Sequence, residues 1–235
     1  MKRAEKPKPF STIGDRCMKQ GDNMKKILIA IPCMDMVSAR FAQSLATLRK
    51  TEHCVVSFLM GSLIYDSRNK LAGYALEMEA DYILWLDSDM VFRPDTLERM
   101  LKTLDEHPEI DILSGLYFRR VYPFSPVLFS ELDEGEDGNI VFKDYNDYPE
   151  EIFEIAGCGF GCVLMRTDCL FQMLDEDGVG RWFTPLGGAG EDCAFCIRAR
   201  RAGYTIYCDP SIDCGHMAYA PVTKDFYKAQ KGEGR

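Results

Sequence analysis

No apolar run in this sequence approaches the ~20 residues that a membrane-spanning helix needs. Positive charge is also short: 28 Lys and Arg stand against 37 Asp and Glu, for a net charge of −9. That balance argues against a nucleic-acid backbone as the main partner, since such binding needs concentrated Lys and Arg. It argues equally against a polybasic membrane anchor. The opening residues, Met1-Lys-Arg-Ala-Glu-Lys-Pro-Lys-Pro9, lack the apolar centre of a signal peptide. Ten cysteines are present, but Cys193-x-x-Cys196 has no second pair at a zinc-site spacing, so helical i,i+3 packing is its expected use. Cys33, Cys54, Cys162 and Cys208 sit in or beside apolar segments, where a thiol behaves as a small hydrophobe. A reducing cytoplasm and mostly free thiols are expected.

What is present fits one sizeable domain. Residues 1–23 are polar and aperiodic, and read as a loose tail. Residues 24–217 hold the domain. Residues 218–235 form a polar tail with Lys224, Lys228 and Lys231. Ile27–Ile31 is a buried strand that Pro32 is expected to end. Ser38 to about Lys50 is an amphipathic helix carrying Phe41, Leu45 and Leu48, and Cys54–Met60 is a second strand. Asp66-Ser67-Arg68-Asn69 precedes a helix with Leu71, Ala72, Ala75 and Leu76. The apolar stretch ending at Leu86 is a third strand, and Thr96–Leu104 is the next helix. This β-α-β-α-β order predicts a parallel sheet with right-handed crossovers. Ile110–Phe118 is a further strand. Val127–Phe129 and Ile140–Phe142 flank an acidic stretch closed by Asp137-Gly138, which predicts an antiparallel hairpin with a solvated acidic face.

The chemistry-bearing residues lie where these elements end. Asp87-Ser88-Asp89 closes the third strand. A buried carboxylate is costly without a cation or donors, so the pair suits Mg2+ or Mn2+, with phosphate oxygens in the remaining positions. It also suits a plain strand end and helix cap. Glycines 157, 159 and 161 alternate along one strand and leave room for a ligand or another backbone. Leu186–Gly190 is a flexible loop that can serve as a lid. Glu191-Asp192 opens a helix, where capping is the plain reading. His216 follows a strand exit and a glycine, and reads equally as a ligand and as a structural residue.

Taken in order, Ile27–Ile31 with Pro32, Ser67-Arg68-Asn69, Asp87-Ser88-Asp89, Glu191-Asp192 and His216 resemble the GT-A-fold nucleotide-sugar glycosyltransferases. The likeness is to small soluble members of the inverting family 2 type, over about residues 25–217. The resemblance implies an α/β, Rossmann-like GT-A fold: a mostly parallel sheet with helices on both faces and a small antiparallel hairpin on the acceptor side. It implies transfer of one sugar from a UDP- or GDP-linked donor to an acceptor hydroxyl, with inversion. Asp89 and Asp87 would hold Mn2+ or Mg2+ against the diphosphate, with His216 as a third contact. Arg68 and Asn69 would line the nucleotide pocket with Pro32 and Ser88. Asp192 would be the general base, beside Glu191. Gly157 and Gly159 would lie beneath the acceptor sugar, with Trp182 on the same side.

The chain departs from that pattern in two places. Many relatives carry an acidic pair and a glycine after the second strand, where this sequence has Phe58-Leu-Met-Gly61-Ser62; Asp35 is the expected substitute for base contact. The Gln-x-x-Arg-Trp signature of processive members is absent, and Arg181-Trp182 precedes Glu191-Asp192, which predicts single-sugar transfer. Other readings are weaker. A sugar nucleotidyltransferase would want a glycine-rich basic loop after the first strand, and Cys33-Met34-Asp35-Met36 is neither. A non-catalytic carbohydrate- or nucleotide-binding module sits badly with the joint presence of Asp87, Asp89, Asp192 and His216. A structural zinc protein lacks its second cysteine pair.

Overall fold

The computed structural model describes residues 25–61, 63–135, 137–175 and 178–219. The tail expected over 1–23 and most of that over 218–235 lie outside the described residues. Strand β1 (Ile27–Cys33) is followed by helix α1 (Ala39–Thr47), β2 (Cys54–Met60), α2 (Ile64–Glu77), β3 (Tyr82–Leu86) and the short β4 (Met90–Val91). Then come α3 (Thr96–Glu106), β5 (Ile112–Leu116), β6 (Leu128–Glu134), β7 (Ile140–Asp144), β8 (Phe153–Glu154) and β9 (Gly157–Cys158). Strand β10 (Cys162–Arg166), a 3-10 turn at Thr167–Met173, α4 (Glu191–Arg201), β11 (Ile206–Asp213) and β12 (Gly215–His216) complete the order.

The main sheet has seven strands in the order β2-β1-β3-β10-β5-β11-β8. β1 pairs in parallel with β2 and β3, and β11 pairs in parallel with β5, while β10 runs antiparallel between β3 and β5. Side chains alternate across this sheet because the strand period is two. Leu28, Ala30, Ile83 and Trp85 face α2 and α4, and Ile27, Ile29, Ile31 and Leu84 face α1 and α3, giving two buried cores. The acidic hairpin forms as β6–β7, with β9 as its third strand. All nine cysteines among the described residues are free, and buried Cys196 packs its thiol on the Cys158 carbonyl as the i,i+3 reading expects. Among the described residues no helix is long and apolar enough to cross a membrane.

Several local expectations are corrected. Pro32 does not end β1 but sits inside it, opposite Leu59. The Cys33 carbonyl bonds the Gly61 N–H on the β2 side. By alternation the Pro32 nitrogen faces the other side, where pairing with β3 has already stopped at Ala30, so its missing N–H costs no ladder bond. Asp66 to Asn69 do not precede a helix; they form the early turns of α2. The glycine-spaced stretch is not one strand, because β9 joins the hairpin sheet and β10 the main sheet. Glu191 and Asp192 are the first residues of α4, whose N-cap is Gly190.

Candidate active site

At the carboxyl edge of β1 and β3 lies a cleft of about 570 Å³, the position at which open α/β sheets present ligands. β3 delivers Asp87, whose backbone N–H bonds the Gly161 carbonyl, and the Met90 N–H returns to the Asp87 carbonyl. This tight turn holds Ser88 and Asp89 against the cleft. The β4–β12 pairing sets His216 opposite Met90, and the Met217 N–H bonds the Asp89 carbonyl. His216 thereby reaches Asp89 across more than 120 residues of chain. α2 contributes Arg68 and α4 contributes Glu191 and Asp192 to the same cleft, with Pro32 at its wall.

Arg68 is 1% exposed and caged by the rings of Trp85, Phe160 and Phe183, at 5.7, 5.5 and 5.8 Å from its guanidinium carbon. A buried cation needs a counter-charge, and three carboxylates supply it. Arg68 Nη2 bonds Asp87 Oδ1 at 2.9 Å, and its Nε lies 3.5 Å from both Glu191 Oε1 and Asp192 Oδ1. Arg68 Nε and Nη1 and Asp192 Oδ1 are buried without a hydrogen bond of good geometry. The other Asp192 oxygen accepts the Phe160 N–H at 3.2 Å. Burial pushes the Asp192 carboxyl up, with Glu191 and Asp87 adding to it and Arg68 opposing, to about 7. Burial likewise raises Asp87 above the usual carboxylate range against the pull of Arg68.

Asp89 is set differently. Burial works to raise it, but the His216 contact and the Arg120 guanidinium outweigh that and hold it below its ordinary value. His216 Nε2 is 3.4 Å from Asp89 Oδ2, and Arg120 Nη1 is 2.8 Å from the same oxygen. His216 is raised chiefly by Asp89. Its Nδ1 lies 2.9 Å from the Phe118 carbonyl, a partner that fixes Nδ1–H as donor and turns Nε2 to the cleft. Among the described residues no three acidic, His or Cys side chains converge into a ready metal cage. The donor chemistry of Asp89 with His216 nevertheless suits a divalent ion, and the oriented imidazole supports it. Asp87 fits less directly, because Arg68 already occupies its Oδ1.

The other expected site residues fall elsewhere. Asn69 turns away from the cleft: its Oδ1 accepts the Phe183 N–H at 2.8 Å and its Nδ2 donates to Thr184 Oγ1 at 3.3 Å. It pins the chain that leads into α4 and is not among the residues lining the cleft. Asp35 is exposed and lies outside the cleft lining, which takes Cys33 and Met34 from that turn. Trp182 is 4% exposed and donates its indole N–H to the Leu170 carbonyl at 2.8 Å, so it is a core residue, not an acceptor contact. Room at Gly157 is filled by Leu132 and Cys196, and room at Gly159 by Tyr117 and Val127, not by a ligand.

Three further residues, Tyr117, Arg119 and Arg120, line the cleft. Buried Tyr117 accepts the Gly161 N–H at 3.0 Å and meets the His216 ring edge-on, with centroids 5.5 Å apart. Arg119 bonds Asp144 at 2.7 Å and lies over Phe129, and Arg120 bonds Asp89. An adjacent Arg-Arg just past a buried strand was the available signal. A second cavity of about 350 Å³, lined by Phe129, Phe142, Asn139 and the glycines of 187–190, meets the first at Arg119 and Phe129.

Residues 66–170 match the family described as Glycosyl transferase family 2. No curated protein sequence matches the chain. The crystal structure of A197 from STIV is similar at a TM-score of 0.57 and 18% identity, over 83% of this chain and 86% of that one. GalNAc-T7, solved with UDP, GalNAc and Mn2+, is similar at a TM-score of 0.56 and 10% identity, over 85% of this chain. The chain spans only 45% of that protein. The fold is GT-A, and the family match covers residues 66–170, less than half of the chain.

Proposed function

We propose that this chain, a family 2-like GT-A protein, moves one sugar from a nucleoside-diphosphate sugar to an acceptor hydroxyl with inversion. The observation that carries the reading is the joint placement of Asp89 and Asp192 in one cleft, with Arg68 tying Asp87, Glu191 and Asp192 together behind them. Asp89 and His216 are the residues that would hold Mn2+ or Mg2+. When bound, such an ion supplies Lewis-acid neutralisation of the leaving diphosphate.

The chain's own groups account for the rest. Asp192, poised near pH 7, takes the proton of the acceptor hydroxyl through the oxygen that accepts the Phe160 N–H. Arg68 keeps Asp87 and Glu191 from adding their full charge to it. Ser88 lines the cleft beside the two aspartates, and Pro32, Cys33, Met34 and Ile64 give an apolar wall for the nucleoside. Asp35 is not needed in this account. The second cavity, entered past Arg119, is the acceptor side in place of Gly157, Gly159 and Trp182.

Calorimetric titration of UDP and GDP, each with and without Mn2+, tests the reading in wild type and Asp89→Ala. Metal-dependent binding of one nucleotide that disappears in Asp89→Ala is the expected result. Absence of binding for both nucleotides under every metal condition would remove the UDP- or GDP-linked donor.

A further inference from the structure

Two aspartates at the mouth of β3 each carry an arginine, and the two arginines are held in opposite ways. Arg68, on Asp87, is 1% exposed and walled in by three aromatic rings and two further carboxylates. It cannot leave without exposing a buried cluster of charge. Arg120, on Asp89, has a side chain 51% exposed, and Asp89 is its one ion-pair partner among the described residues. The loop that carries it is pinned at its base by the Phe118–Pro126 bridge and by the Arg119 N–H on the Ser125 carbonyl. Arg119 is tied to Asp144. The Arg120 side chain is therefore the exposed, singly paired part of a loop anchored at its base.

Its bond falls on Asp89 Oδ2, the oxygen that His216 Nε2 also approaches. A divalent ion at Asp89 and His216 would need that oxygen, so the guanidinium and the ion compete for one acceptor. We propose that Arg120 is a diphosphate-binding residue held in reserve: it neutralises Asp89 in the empty cleft, and on arrival of metal and nucleotide it transfers to a phosphate oxygen. This rests on the reading of the cleft as a nucleoside-diphosphate site. Guanidinium and phosphate match in geometry and charge, and the displaced side chain already lines that cleft. In the empty cleft the Arg120 contact keeps Asp89 paired, as Arg68 does Asp87.

The test separates Arg120 from a simple electrostatic contributor, because removal should act in opposite directions on the two ligands. Mn2+ binding to nucleotide-free protein, followed by the electron paramagnetic signal of free Mn2+, should tighten up to about fivefold in Arg120→Ala, the scale of a half-exposed ion pair. UDP binding at saturating Mn2+, followed by calorimetry, should weaken by about tenfold or more, the scale of a charged hydrogen bond. Arg120→Lys, which keeps charge without the planar fork, should fall between on both. Circular dichroism and thermal midpoint should match wild type in both variants. Unchanged or weaker Mn2+ binding in Arg120→Ala, with wild type still binding the ion, overturns the exchange and leaves the glycosyltransferase reading standing. Failure of wild type and variant alike to bind Mn2+ also overturns the exchange, and failure of wild type to bind UDP at saturating Mn2+ overturns the donor reading beneath it.

Discussion

A guanidinium removed from water among Trp85, Phe160 and Phe183 gains cation–π contact, but three carboxylates are what make its burial tolerable. Arg68→Met should therefore leave Asp87, Glu191 and Asp192 facing one another and cost about 3–5 kcal/mol. Urea unfolding monitored by tryptophan fluorescence measures this, and a loss below about 1 kcal/mol would mean that the carboxylates are solvated without it. Asp192 is the neighbour whose chemistry depends on the same balance. Burial first, then Glu191 and Asp87, raise its folded value to about 7, against about 4 for a solvated carboxylate. Below about 7 it is protonated and cannot accept the acceptor's proton; above, it can. The rate at saturating donor should therefore climb with pH through about 7, and Asp192→Asn should abolish that limb with a loss of about 10²–10⁴. A flat profile across pH 6–8 in wild type would reject Asp192 as base. The stability linkage has the opposite sign: a raised carboxyl favours the folded state fully below about 4, and that contribution is lost as pH rises from there through about 7. Differential scanning calorimetry of Asp192→Asn at pH 8 should accordingly give a midpoint no lower than wild type.

At the level of elements, the two glycines between β9 and β10, Gly159 and Gly161, show how a side chain from elsewhere decides a local pattern. Tyr117, just past β5, lies under Gly159 and Gly161, and its ring braces His216 on β12. A methyl at Gly159 would overlap the Tyr117 hydroxyl and crowd Val127. Gly159→Ala should cost about 1–3 kcal/mol as overpacking and should weaken metal-dependent UDP binding by tilting His216. Calorimetry on a variant that still melts cooperatively checks it, and unaltered UDP affinity would show that Tyr117 does not position the imidazole. The same case marks what was legible in the sequence. The run from Tyr82 to Leu86 into Asp87, the N-terminal acids of α4 and the β6–β7 hairpin could be read because period and end signals are local. Which distant side chain fills a glycine gap, whether Trp182 faces a ligand or the core, and that Asn69 pins Phe183 are tertiary facts. They leave no trace in spacing. Arg119-Arg120 was visible as residues, but its role follows only from β12 and β4 bringing Asp89 and His216 to the same loop.

For the molecule as a whole, charge acts at two ranges. Around the cleft, Arg68, Arg119, Arg120 and His216 stand near Asp87, Asp89, Glu191 and Asp192, so the local balance is close to even. The whole chain carries −9, and at low ionic strength that field extends well beyond the contact distance of any one pair. The nucleoside diphosphate of the proposed donor would therefore approach against the long-range field and be recognised only by short-range contacts inside the cleft. Steering of this sign slows encounter and is relieved by salt. The association rate of a fluorescent UDP analogue, measured by stopped flow at a fixed saturating Mn2+ concentration, should rise by about a factor of two or more from 10 to 150 mM NaCl. The dissociation rate should rise over the same range, because salt would also weaken the proposed contact of Arg120 with phosphate. A chain that recruited its anionic ligand through a basic surface would show the opposite trend in association. A fall in the association rate with salt would thus mean that the arginine pair at the cleft mouth, and not the net charge, sets the field a ligand meets first.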